Sequence, residues 1–292
     1  MTFEGVYTAL VTPFTKSRDV DETALRQLVD IQIEAGIAGL VPTGTTGESP
    51  TLDHDENIRV VEVVVEQTNG RVPVIAGTGS NSTAEAVEMT RLASEIGVDA
   101  TLQVGPYYNK PTPEGFYRHY SAISEAVDIP IVVYNIASRT GKNIDNETML
   151  KIASLPTVHG VKESSGDMLQ VTDLVARKPD SLDVLSGDDN LGLPIIALGG
   201  KGIVSVASNV IPTEMVALAK EALDGDFVKA REWHYRLLPL FQALFFETNP
   251  IPIKAVLAEL GRIEEIYRLP MCPMSKHYRD ALVDTMKGLG LL

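Results

Sequence analysis

Between Gly5 and Leu223 the chain alternates a short β-branched run with a longer stretch whose apolar residues recur every three to four positions, and no other feature restricts its fold so tightly. Runs of strand length fall at residues 5–11, 39–41, 73–76, 100–104, 131–134, 158–162, 183–185 and 203–206. Helical periodicity occupies 22–34, 56–67, 84–95, 114–126 and 214–223. Strict alternation predicts parallel strands joined by helical crossovers. Eight such units predict an α/β fold, a closed (β/α)8 TIM barrel rather than an open doubly wound sheet. After Leu223 the strand signal stops, and 227–246, 253–260 and 275–287 read as helices separated by Pro250, Pro252 and Pro270. The expected division is a catalytic barrel over residues 1–224 and a C-terminal helical extension over 225–292. No Gly/Ser-rich linker separates them, so the extension is expected to pack on the barrel.

A formal net charge of −14 leaves no basic face for nucleic acid or an anionic membrane. The start, Met1-Thr2-Phe3-Glu4-Gly5, has no signal-peptide pattern and no segment has the apolar length of a membrane span, so a cytoplasmic protein is expected. The single cysteine, Cys272, precludes an internal disulfide and a cysteine-rich zinc site, and its neighbours Met271 and Met274 suggest a packing role. The histidines His54, His119, His159, His234 and His277 are scattered without ligand spacing and read as helix or surface residues. No dinucleotide fingerprint follows the first strand. No metal and no cofactor are expected.

In such a barrel the chemistry lies at the carboxyl ends of the strands. There the sixth run ends Val158-His159-Gly160-Val161-Lys162-Glu163. A lysine at the inner end of a buried strand loses its proton near neutral pH and attacks carbonyls as a Schiff-base nucleophile, while one that merely ends the strand points to water. The second run enters Gly44-Thr45-Thr46-Gly47-Glu48-Ser49, whose amides and hydroxyls suit a small carboxylate, though a tight strand-to-helix turn reads the same way. The fourth ends in Tyr107-Tyr108-Asn109, two adjacent rings that cannot both face the core, and the fifth in Tyr134-Asn135 with Arg139 shortly after. In a barrel Thr45, Thr46, Tyr134, Arg139 and Lys162 converge on one mouth.

These segments, with Ser138-Arg139-Thr140-Gly141, Ser186-Gly187-Asp188-Asp189, Asn249-Pro250-Ile251-Pro252-Ile253-Lys254 and Leu269-Pro270, closely resemble the dihydrodipicolinate synthase family of class I pyruvate-dependent lyases and aldolases, over the whole chain. The resemblance implies condensation of pyruvate with L-aspartate 4-semialdehyde to 4-hydroxy-tetrahydrodipicolinate, opening lysine biosynthesis. It implies that Lys162 forms the Schiff base and that Tyr134 relays protons through Thr46 to Tyr108, lent by a neighbouring subunit of a homotetramer. Thr45 would bind the pyruvate carboxylate, Arg139 the semialdehyde carboxylate, and the backbone of Gly187 and Val204 would line the pocket. Ser49, His54, Asn81, Glu85 and Tyr107 match a lysine effector cleft of sensitive relatives, from which Pro50 and Asn57 depart. Ala137 departs from the usual proline in the Arg139 loop. An N-acetylneuraminate lyase or keto-deoxy-sugar aldolase on the same scaffold would share Lys162 and Tyr134, but a sugar acceptor needs no bidentate cation such as Arg139. A catalytically silent pyruvate-binding sensor is disfavoured because every position of the relay is filled.

Overall fold

The computed structural model describes residues 2–292 and resolves the alternation into eight parallel strands: β1 (Gly5–Ala9), β2 (Gly39–Val41), β3 (Ile75–Gly77), β4 (Ala100–Val104), β5 (Ile131–Asn135), β6 (Val158–Glu163), β7 (Asp183–Ser186) and β8 (Gly202–Ser205). Helices α1 (Glu22–Glu34), α2 (His54–Thr68), α3 (Thr83–Ile96) and α4 (Pro113–Ser124) follow the first four strands. A short α5 (Ala137–Thr140) and then α6 (Asn146–Ile152) follow β5, after which α7 (Met168–Arg177), α8 (Asp189–Ala197) and α9 (Pro212–Leu223) complete the ring. The last segments are α10 (Phe227–Ala243), α11 (Ile251–Glu259) and α12 (Lys276–Gly288). Side-chain caps start several helices; Asp53 accepts from the Glu56 amide while Glu56 reaches back to the Asp53 amide, satisfying two orphan donors of α2.

The ladder runs β2-β1-β8-β7-β6-β5-β4-β3. The ends meet: Leu40 bridges Val74 in parallel, the Leu40 amide donates to Pro73 O at 2.9 Å and the Gly77 amide to Pro42 O at 3.0 Å. Closure needs a glycine at 39, where a Cβ would lie 2.6 Å from the Tyr7 ring. Strand alternation sorts side chains into two layers. Phe3, Tyr7, Val41, Ile75, Leu102, Val132, Tyr134, Leu185 and Val204 pack inside the barrel, whereas Ile131, Val133 and Val161 pack outward against Phe116, Met149 and Leu174 of the helical ring.

The C-terminal helices pack as expected on the barrel. Leu240, Phe241, Leu244, Ile253, Val256, Leu257 and Met286 are buried in one cluster with Leu10, Leu25, Leu28 and Met215. Pro252 does not separate helices; it lies in the first turn of α11, where its missing N–H has no intrahelical partner to lose. Cys272 is exposed, contrary to the packing role expected of it, and Met274 instead is buried. His119 is a helix residue as expected, though buried on α4, whereas His159 lies half-buried in β6 and is neither a helix nor an exposed surface residue.

Candidate active site

Parallel register sets Lys162 on β6 beside Tyr134 on β5, and alternation turns both inward, because Val133 and Val161 take the outward positions. Lys162 Nζ lies 4.1 Å from the centre of the Tyr134 ring, and both residues are buried, at 6% exposure each. Burial pushes the Lys162 ammonium down to about 8 with Arg139 acting in the same direction, while Asp188 and Asp189 pull it back up. Lys162 makes no salt bridge among the described residues. An amine with a pKa of about 8 is about one-tenth unprotonated at pH 7, enough for nucleophilic attack. Burial, reinforced by the Asp188 charge, raises the Tyr134 phenol above its usual range, so it stays a neutral hydroxyl able to donate and accept.

Gly187 follows β7 and its amide donates to Glu163 O at 2.8 Å. A Cβ there would overlap Ser164 Oγ and come within 2.9 Å of Lys162 Cε, so only glycine lets the β7 turn lie against the lysine stem. Burial raises the next two carboxyls, Asp188 and Asp189, the latter to about 6. Asp189 Oδ2 accepts from the amides of Val206 and Ala207 at 3.1 and 2.9 Å, tying α8 to the end of β8. Asp188, the N-cap of α8, makes no side-chain cap bond. Val204 is buried inside the barrel beside Tyr7.

A cleft of about 510 Å³ meets this centre at Tyr134, with Lys162, Thr46, Gly187 and Val204 outside its lining. Thr45, Tyr134, Arg139, Ser49, His54, Glu85 and Tyr107 all line it. Thr45 is half-buried on the cleft wall, but Thr46 is buried and its Oγ1 accepts from Asn249 Nδ2 at 3.0 Å. Arg139 is exposed on α5, with Nη2 donating to Asn249 O at 3.2 Å. Tyr108 stands out from the chain, 88% exposed on left-handed backbone with φ 70°. Glu85 is already engaged, accepting from Ser80 Oγ and meeting His54 Nε2 at 2.5 Å, and these contacts hold its carboxyl below the usual range. Asn81 offers its carbonyl to Asn109 Nδ2 at 2.8 Å. No group of metal-ligating side chains occurs among the described residues, and no helix there is long and apolar enough to cross a membrane.

The Dihydrodipicolinate synthetase family profile matches residues 2–289. The chain belongs to this family. The 4-hydroxy-tetrahydrodipicolinate synthase of Koribacter versatilis is 53% identical over 293 residues, covering 100% of this chain and 98% of its own. A solved dihydrodipicolinate synthase from Aquifex aeolicus is 46% identical with a TM-score of 0.97, covering 99% of each chain. The chloride-inhibited enzyme of Acinetobacter baumannii, solved with pyruvate, is 40% identical with a TM-score of 0.98 over 100% of both chains.

Within this family fold, sequence reasoning passed over three features of the site. Asp188 and Asp189 follow β7 and obey the same rule that singled out Lys162, polar residues just beyond an apolar run. Glu48 was read as part of a turn, yet it is 2% exposed and pairs with Lys254 Nζ at 2.6 Å. Asn249 comes from the segment between α10 and α11, far from any strand, and no local pattern points to it.

Proposed function

We propose that this chain condenses pyruvate with L-aspartate 4-semialdehyde to 4-hydroxy-tetrahydrodipicolinate. The observation that carries the reading is the buried, unpaired Lys162 amine against the Tyr134 ring, in a chain about half identical to named synthases along its whole length. The free amine attacks the ketone carbon of pyruvate, and the carbinolamine loses water to give the imine. Loss of a methyl proton yields the enamine, whose carbon attacks the aldehyde. The acceptor's amine then closes the ring and displaces Lys162. The Tyr134 hydroxyl hands a proton to the departing water and later to the new alkoxide, and each time takes one back from the relay hydroxyl beside it, so no charge is left buried.

The two threonines suit an exchange of the roles expected from sequence. A relay hydroxyl must donate and accept in turn, which fits Thr45 on the cleft wall beside Tyr134 and Tyr107. A carboxylate needs donors only, which fits Thr46, whose lone pair is occupied by Asn249. Arg139 at the cleft suits the acceptor's carboxylate, in keeping with the semialdehyde rather than a sugar. Gly187, packed against the Lys162 stem, and Val204, inside the barrel, suit the inner wall of a pyruvate site around that amine. The outward Tyr108 is offered to a second copy, consistent with a homotetramer.

The outer cleft supports a second reading, regulation by L-lysine. Ser49, His54, Glu85 and Tyr107 line it, with Asn81 adjoining. An effector ammonium must compete with His54 and Ser80 for Glu85, so weak inhibition is expected, abolished by Glu85→Ala. The activity itself is tested by a coupled assay with pyruvate plus aspartate semialdehyde beside one with pyruvate plus N-acetylmannosamine. Turnover with the first pair alone supports the synthase, and turnover with the second alone assigns a sugar lyase.

A further inference from the structure

Asn249 reaches two site residues with two different groups. Its backbone carbonyl accepts from Arg139, and its side-chain amide donates to Thr46 Oγ1. The residue is 6% exposed, and its Oδ1 is buried with no hydrogen-bond partner among the described residues. A threonine hydroxyl carries one proton and two lone pairs. Where a buried amide N–H takes a lone pair, the hydroxyl turns its proton away from that amide and offers it elsewhere. An anion is the strongest acceptor such a proton can meet.

We propose that Asn249 is a positioning residue that fixes Thr46 as a one-way donor to the pyruvate carboxylate. The inference rests on the pyruvate reading of this site and adds to it the group that orients the carboxylate's donor. Space filling is a poor account of the amide, because an unsatisfied buried carbonyl destabilises the fold and an apolar side chain would avoid that penalty. The division of labour within Asn249 is also separable by mutation. Substitution removes the amide from Thr46 but keeps the backbone carbonyl that holds Arg139.

The experiment measures KM for pyruvate, KM for aspartate semialdehyde, kcat and melting temperature in wild type and in variants at positions 249 and 46. Asn249→Ala is expected to raise pyruvate KM about tenfold, the scale of one charge-assisted hydrogen bond, with semialdehyde KM within about twofold of wild type and no loss of melting temperature. Asn249→Asp puts an acceptor where the donor was and draws the Thr46 proton to itself, so its pyruvate KM should exceed that of the alanine variant. Asn249→Ser, which can donate from its hydroxyl, should recover part of the loss. In a Thr46→Val background Asn249→Ala should change pyruvate KM no further, because the residue acts only through that hydroxyl. Equal rises in both KM values, an additive effect in the Thr46→Val background, or an aspartate variant as good as wild type would each overturn the proposal. Borohydride trapping of pyruvate in the wild-type protein separates the two levels. Failure to trap defeats the pyruvate reading itself, whereas trapping with an unchanged pyruvate KM in the Asn249 variants defeats only the role of Asn249.

Discussion

Among the described residues two lysines are buried, Lys162 and Lys254, and only one of them is paired with a carboxylate. Lys254 on α11 is wholly enclosed, with Nζ 2.6 Å from Glu48 Oε1 and 4.2 Å from the centre of the Phe14 ring. Burial pushes its ammonium down, but the Glu48 carboxylate pulls it back. Glu48 sits at φ 52° in the glycine-rich turn and also receives the Arg268 amide at 3.3 Å, so the pair bolts the C-terminal helices to the turn that carries Thr45 and Thr46. Lys162 at the end of β6 has a similar burial and no such partner, only the more distant Asp188 and Asp189. Burial alone therefore does not make a lysine reactive. Burial without a paired carboxylate leaves the amine deprotonated often enough to react.

The largest expected effect follows on the catalytic side of that contrast. Lys162→Ala should lower turnover by about 10⁴-fold or more while leaving the fold intact, as loss of a covalent nucleophile does. Turnover within about tenfold of wild type would mean that the buried amine is not the nucleophile.

On the structural side, Lys254→Met should destabilise the protein by about 3–5 kcal/mol, because Glu48 is left buried and unpaired. The double variant Glu48→Gln with Lys254→Met should regain most of that loss in denaturant melts. Equal stability of single and double variants would show that packing of the lysine stem, not the charge, matters at α11.

Lys162 should carry a stability penalty that at Lys254 is partly offset by the Glu48 carboxylate. Its pKa falls from 10.5 to about 8 on folding, so the unfolded chain binds more protons between those values and stability falls as pH drops through that window. At about 1.4 kcal/mol per unit, Lys162→Met should stabilise the fold by up to about 3 kcal/mol at pH 7 and by little above pH 10.5. A variant less stable than wild type at pH 7 would contradict this.

His119 extends the comparison with the smallest effect. It is buried on α4 with Nδ1 2.9 Å from Thr83 Oγ1 and Nε2 unpartnered among the described residues, and burial lowers it from 6.5 to about 4. Stability tied to this group is whole above pH 6.5 and is lost as pH falls toward 4. At pH 5 the loss should be about 2 kcal/mol, and His119→Gln should flatten that part of the stability profile.

The barrel was legible because period-two and period-three-to-four patterns are local. Strands β2 and β4 coincide with their expected spans, and the others differ only at their ends. Lys162 and Tyr134 were legible for the same reason, since a polar residue ending an apolar run is a one-dimensional signal. The helix α5 that presents Arg139 was missed because four residues are too few to show periodicity. What escaped otherwise depends on contacts across the chain. Glu48 meets Lys254 over a separation of 206 residues, and Asn249 meets Thr46 over 203, distances at which no spacing rule operates. The division of roles proposed for Thr45 and Thr46 rests on which of the two lines the cleft, a matter of one residue's phase in a turn.

Borohydride reduction of the wild-type protein in the presence of pyruvate across pH, followed by peptide mass mapping, shows whether the unpaired buried amine at the end of β6 is the nucleophile. One adduct per chain is expected, on Lys162 and not on Lys254, with a rate that rises through pH 8 as the ammonium loses its proton. An adduct on any other lysine, or none at all, would contradict it.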